Sequence, residues 1–150
     1  MHWIFRAGAK GGFTEIARLQ TEIAFSFRDL SDLSDLPNSR GAFRNVVATG
    51  YPDLRPSQLP LRISQVYWFV HRIAAGDEIL LVDESNETAH HGTIASRYRY
   101  TPHGGPFFNR RAVRWNSARS FRDTPSELVE LWRAQTGIIP VGGLSRLEAF

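Results

Sequence analysis

The side chains best equipped for chemistry in this sequence are flat rings and forked cations. Phe25 and Phe27 end the run EIAFSF, Trp68 stands beside Phe69 in an apolar stretch, and Tyr98 and Tyr100 alternate with Arg97 and Arg99 in SRYRY. Rings offer faces for stacking on a planar partner, and tyrosine adds a polar tip suited to a pocket rim. Arginine forks onto phosphates and base edges or stacks on flat rings. Lys10 is the sole lysine, so the basic residues are almost entirely arginine. That bias fits a planar or anionic partner, and it equally fits a GC-rich coding sequence.

Other chemistries find little support. The chain has no cysteine, which excludes disulfides and thiolate catalysis. His90 and His91 are neighbours, so on a strand they point to opposite faces, and His2, His71 and His103 are scattered. No metal site is expected, and no cofactor. The aspartates Asp29, Asp32 and Asp35 lie in RDLSDLSDLPNSR, whose spacing is that of capping and turn residues and not of a calcium loop. The glycine turn GAKGG around Lys10 lacks P-loop spacing, and no nucleophile elbow appears. No catalytic residue is assigned.

Elements that position these residues follow from periodicity. At 150 residues and 42% apolar content the chain suits one domain, 1–150, with one core. Its charge of +3 is modest, no apolar run approaches a membrane span, and the start lacks signal-peptide order, so a cytoplasmic, membrane-free protein is expected. His2–Ala7 reads as a strand, Phe13–Gln20 as a short helix, and Glu22–Phe27 as a strand with Ile23, Phe25 and Phe27 on one side. Ser39–Ala48 reads as a helix ending near Gly50. A longer helix runs from about Ser57 to Ala75 on Leu59, Ile63, Val66, Val70 and Ile73, with Pro60 in its first turn and Gly76 as its stop.

The strand Glu78–Val82 is apolar throughout, as burial on both faces requires. In Gly92–Tyr100 alternation puts Ile94, Ser96, Tyr98 and Tyr100 on one side, and Arg97 and Arg99 on the other. Arg110–Trp115 alternates Arg111, Val113 and Trp115 with Arg110, Ala112 and Arg114, and a helix from Thr124 to about Gln135 follows. The tail is expected to return as a short strand, closing with Leu144, Leu147 and Phe150. Together these are the parts of a small α+β barrel flanked by helices.

The ordered motifs WIFRAGAKGG, DLSDL, WFVHRIAAGDEILLV, GTIASRYRY and RRAVRW, spanning Trp3 to Trp115, resemble the N-terminal DNA-reading domain of modification-dependent restriction endonucleases, of the EVE and YTH kind within the PUA-like superfamily. The resemblance implies a small PUA-like β-barrel that flips a modified base, methylated or hydroxymethylated cytosine or methyladenine, out of double-stranded DNA into an aromatic pocket. It also implies a nuclease domain elsewhere in the full-length protein or on a partner.

The family's aromatic wall after the second strand falls here on Phe27, with Phe25 next, where the family commonly has Trp. Trp68 is the expected second wall or plain core, and Tyr98 and Tyr100 are rim or core. Asp29 or Asp32 would accept from an exocyclic amine or only cap a helix. Arg6, Lys10, Arg97, Arg99, Arg110 and Arg111 are the candidates for backbone phosphates, with Gly12 allowing close approach. An RNA-binding PUA- or YTH-like domain and a small barrel enzyme are the alternatives.

Overall fold

A computed structural model describes residues 1–6, 21–25, 30–102, 108–134 and 137–142. The expected GAKGG turn, the Phe13–Gln20 helix and the closing residues of the tail lie outside them, as do Lys10, Gly12, Phe27 and Asp29. The described chain is α+β: seven strands form one curled mixed sheet, an open half-barrel with helices on both faces.

The strands are β1 (His2–Arg6), β2 (Glu22–Phe25), β3 (Glu78–Asp83), β4 (Thr88–Ile94), β5 (Arg99–Tyr100), β6 (Asn109–Ser120) and β7 (Ile138–Val141). Their order is β2-β6-β4-β3-β1-β7, with β5 also on β6. Only β1 and β3 run parallel, and their apolar runs serve two cores at once. Trp3, Phe5, Ile79 and Leu81 face one core, while Ile4, Leu80 and Val82 face the other. Period-two alternation within an all-apolar strand is what lets one sheet carry a helical layer on each side.

The larger core is covered by α1 (Arg44–Gly50), entered through a 3-10 turn at Arg40–Phe43, and by α2 (Leu59–Tyr67). Phe43, Val47, Ile63, Val66 and Phe69 reach it from these helices. The smaller core is closed by α3 (Ser126–Ala134), which contributes Leu128 and Trp132.

Three departures from the sequence reading have physical causes. The helix expected over Ser57–Ala75 is α-helical only to Tyr67 and then widens into a π turn, Trp68–Arg72, closed by Ile73 N–H donating to Trp68 O at 2.9 Å. The strand expected over Gly92–Tyr100 begins earlier, at Thr88, and breaks after Ile94. There the Ser96 hydroxyl accepts from Ala112 N–H at 2.8 Å, so a side chain replaces a backbone acceptor of the ladder. The side assignment survives the break: Arg97 and Arg99 are exposed, while Ser96, Tyr98 and Tyr100 are half-buried.

The third departure is β6, which extends from the expected Arg110–Trp115 to twelve residues. Its first part pairs with β2 and β5 and its second part with β4, so one strand carries the sheet's curl. Opposite the bulge at His91 and Gly92, Trp115 lies against Gly92. A Cβ there would fall 2.7 Å from its ring, so only glycine allows the two strands this approach.

Candidate functional site

Tyr98, Tyr100, Arg99, Arg110 and Arg111 lie where β5, β6 and the C-terminal end of α2 meet, whereas Arg6 lies on the α3 side of the sheet. Tyr98 is the centre of this region. Its hydroxyl donates to Asn109 Oδ1 at 2.5 Å and accepts from Leu33 N–H at 3.1 Å, while Asn109 Nδ2 donates to Leu30 O at 3.2 Å. The segment Leu30–Leu33, which follows the β2 aromatics in sequence, is thereby tied to the β5–β6 hairpin. Burial first of all, then the Asp32 and Tyr100 charges, pushes the Tyr98 phenol up to about 12 against the opposing Leu33 bond. The hydroxyl is therefore neutral and already committed, and what Tyr98 has left to offer is its ring. That ring meets Phe69 edge-on at 6.2 Å.

Trp68 is half-buried and packs at 6.2 Å on Trp3, whose indole N–H donates to Asp77 Oδ2 at 2.8 Å. Consecutive positions on one helix thus send Phe69 toward Tyr98 and Trp68 toward Trp3. Tyr100 is half-buried with its ring 6.0 Å from Phe108. Phe25 pairs in register with Asn109, which places its backbone beside the Tyr98 network. Asp32 is exposed, and its carboxylate accepts from Ser34 N–H at 2.9 Å and from the Ser34 hydroxyl, the turn role that its spacing allowed.

Of the arginines assigned to phosphates, Arg111 is displaced most clearly. It is 2% exposed, and its guanidinium donates to Phe69 O at 2.6 Å, Val70 O at 2.9 Å and Ser96 O at 3.2 Å. Two of these are carbonyls of the π turn, near the end of the helix where carbonyls commonly take donors from outside it. Arg111 caps α2 from the sheet and cannot reach a backbone outside. Burial pushes its pKa down to about 10, so it remains a cation at neutral pH.

Arg6 is bound to Glu84 at 2.7 Å and to Trp132 O at 3.2 Å; Arg110 holds Glu22 at 2.9 Å, and Arg99 pairs with the other oxygen of the same carboxylate. Among the described candidates Arg97 is exposed, and Arg99 is 50% exposed along its side chain while paired with Glu22.

A family model described as a domain of unknown function, DUF8426, matches residues 10–132. The chain belongs to the DUF8426 family. No curated protein and no solved structure matches it. The family segment takes in the whole Tyr98 region, α1, α2 and most of α3.

Sequence reasoning missed two residues of this DUF8426 chain. Asp77 is buried, and its carboxylate accepts from Trp3 Nε1, from Ala74 N–H at 3.0 Å and from the Met1 amine at 3.0 Å. Burial pushes its pKa upward, but the donors outweigh it and hold the group below the usual carboxylate value. The other is Asn109, 1% exposed, which both the Tyr98 and Leu30 bonds require. An acid between a helix-stopping glycine and an apolar strand was the available signal for Asp77. For Asn109, a polar residue opening a long strand carries no such signal. Among the described residues no three His, Asp or Glu side chains converge to hold a metal, and no helix is long and apolar enough to cross a membrane.

Proposed function

We propose that this chain reads a modified base in double-stranded DNA, as a PUA-like barrel of the EVE or YTH kind serving as the specificity domain of a modification-dependent restriction endonuclease. The observation that carries the reading is the Tyr98 network. It holds a ring with a committed hydroxyl at the margin of the core, beside the segment after β2 where the resemblance puts a cage wall. A flipped base loses its stacking neighbours, and an aromatic face restores roughly 1–3 kcal/mol of that. Tyr98, Tyr100 and Trp68 supply half-buried rings, and Phe25 and Phe27 are the further candidates that the resemblance names.

A methyl group adds about 0.8 kcal/mol of apolar burial, or a preference of about fourfold, so stronger discrimination needs a polar group that rejects the unmodified base. Asp32 is a candidate for that role through Oδ2, since both of its turn bonds from Ser34 go to Oδ1. Hydrolysis of DNA is assigned to a nuclease domain or partner.

The test is a binding screen of short duplexes, each carrying one modified cytosine or adenine, against the unmodified duplex. One modified duplex should bind several-fold more tightly, and Trp68→Ala should lower that ratio at unchanged fold. Equal affinity for all duplexes refutes the reading, and tighter binding of single-stranded RNA moves the chain to the RNA readers.

A further inference from the structure

The arginines of the helical layer behave differently from those of the sheet. Between Pro37 and Arg72 the chain has five arginines and one acid, Asp53, an excess of four positive charges in a chain whose whole excess is three. Arg40, Arg44, Arg55 and Arg72 are exposed and Arg62 is partly so. Among the described residues none of the five is paired with a carboxylate, whereas the sheet's Arg6, Arg99 and Arg110 all are.

Three of these cations are held in place by neutral groups. Arg40 donates through Nε to the Ser64 hydroxyl and through Nη2 to Pro60 O, each at 2.7 Å. Arg62 lies over the Tyr51 ring at 5.2 Å, and Arg55 donates through Nε to Gln58 Oε1 at 3.3 Å. A guanidinium oriented without an anion keeps its charge unspent and has less freedom to lose when an anion arrives. Ser64 lies one helical turn before Trp68, so the charged track runs along α2 to the ring expected to wall the pocket.

We infer that the outer face of the α1–α2 layer is a phosphate-backbone contact surface for duplex DNA, the main electrostatic footprint of this chain. The choice of polyanion rests on the proposed DNA-reading function, but the surface needs no modified base. Its contribution is counterion release, which raises affinity equally for modified and unmodified duplexes.

The experiment measures affinity for an unmodified duplex from 50 to 200 mM salt, using the whole chain and a triple variant, Arg44→Gln, Arg55→Gln, Arg62→Gln. Loss of three phosphate contacts should flatten the logarithmic salt slope by about 2–3 and lower affinity at least tenfold at low salt. A control pair, Arg114→Gln and Arg122→Gln, exposed residues on β6 and the turn after it, should leave the slope within one of the original. Melting temperatures confirm that both variants fold. An unchanged slope in the triple variant overturns the inference, as does a polyglutamate competitor that displaces DNA at equal charge concentration, since the partner would then be an acidic protein. The two proposals fail separately. A triple variant that loses the slope but keeps a modified-base ratio supports both, and loss of slope with no ratio in the original chain leaves the surface and removes the reader.

Discussion

Replacing Arg111 separates a structural cap from a DNA contact. In Arg111→Met the apolar stem is kept and the fork removed, so the buried carbonyls of Phe69 and Val70 lose the guanidinium as their donor. Each buried unsatisfied acceptor costs about 1–3 kcal/mol, so the pair costs about 2–6 kcal/mol. The added thioether burial and release of the guanidinium from its desolvated site offset part of this, and we expect a net loss of about 3 kcal/mol. That is a large share of the roughly 5–15 kcal/mol that holds a domain folded, and at this size it lowers the melting temperature by about 6–12 °C. Arg111→Lys should be no better, because one ammonium cannot stand at the separate positions from which Nε, Nη1 and Nη2 reach the three carbonyls, and its burial is still costly.

The assay is urea unfolding and thermal melting of both variants beside duplex affinity at a temperature where each is folded. Destabilisation with unchanged affinity and salt slope is the expected result. Melting within 2 °C of the original (about 0.5–1 kcal/mol at this chain length) together with a tenfold loss of affinity would refute the reasoning and return Arg111 to the DNA surface.

Three further outcomes follow. Tyr98→Phe removes the donor to Asn109 and should cost about 1–3 kcal/mol; in the parent, absorbance titration should show one tyrosine ionising near pH 12, later than the usual value of 10, and this step should vanish in the variant. Because that pKa is raised, its stabilisation is complete below pH 10 and is lost as pH climbs through about 12, so a flat alkaline stability curve would contradict the network. Asp77→Asn should cost about 1–3 kcal/mol and remove part of the acid sensitivity, since the depressed pKa contributes stability above pH 3.8 that disappears as pH falls through the lowered folded value; equal acid midpoints would show the carboxylate to be idle. Gly92→Ala should cost about 1–3 kcal/mol by driving a methyl into Trp115, Val113 and the Arg114 carbonyl, and a neutral result in urea unfolding would place slack at the bulge.

Much of the fold was readable because the sheet's sidedness is written in strict alternation. Ile23, Ile94 and Val113 are buried as their positions required, and the exposed Arg97 and Arg99 share the opposite side. The same alternation put Arg111 with Val113 and Trp115, on the inward side, so its burial was legible; the general preference of arginine for solvent was allowed to outweigh the period. The break at Ser96 was not legible, since it depends on a hydroxyl meeting Ala112 N–H sixteen residues on. Nor was the π turn, because its register is stabilised by Arg111 from the sheet and not by residues of the helix. Local patterns foretell which side a residue faces, and long-range polar contacts decide where an element stops.

The distribution of charge connects these points. An arginine on a mixed sheet next to an acid-bearing strand finds a carboxylate, as Arg99 and Arg110 both find Glu22, and a neutralised pair has little left for a phosphate. An arginine of the helical layer, where Asp53 is the one acid between Pro37 and Arg72, is oriented instead by hydroxyls, carbonyls and a ring, which hold its position without cancelling its charge. Counting basic residues along the sequence cannot separate the two groups, but their partners do. If DNA is the ligand, affinity belongs mainly to the helical layer, while selectivity belongs to the rings between β5, β6 and the end of α2. Substitutions in the first should change the salt response without changing base preference, and substitutions in the second should do the reverse.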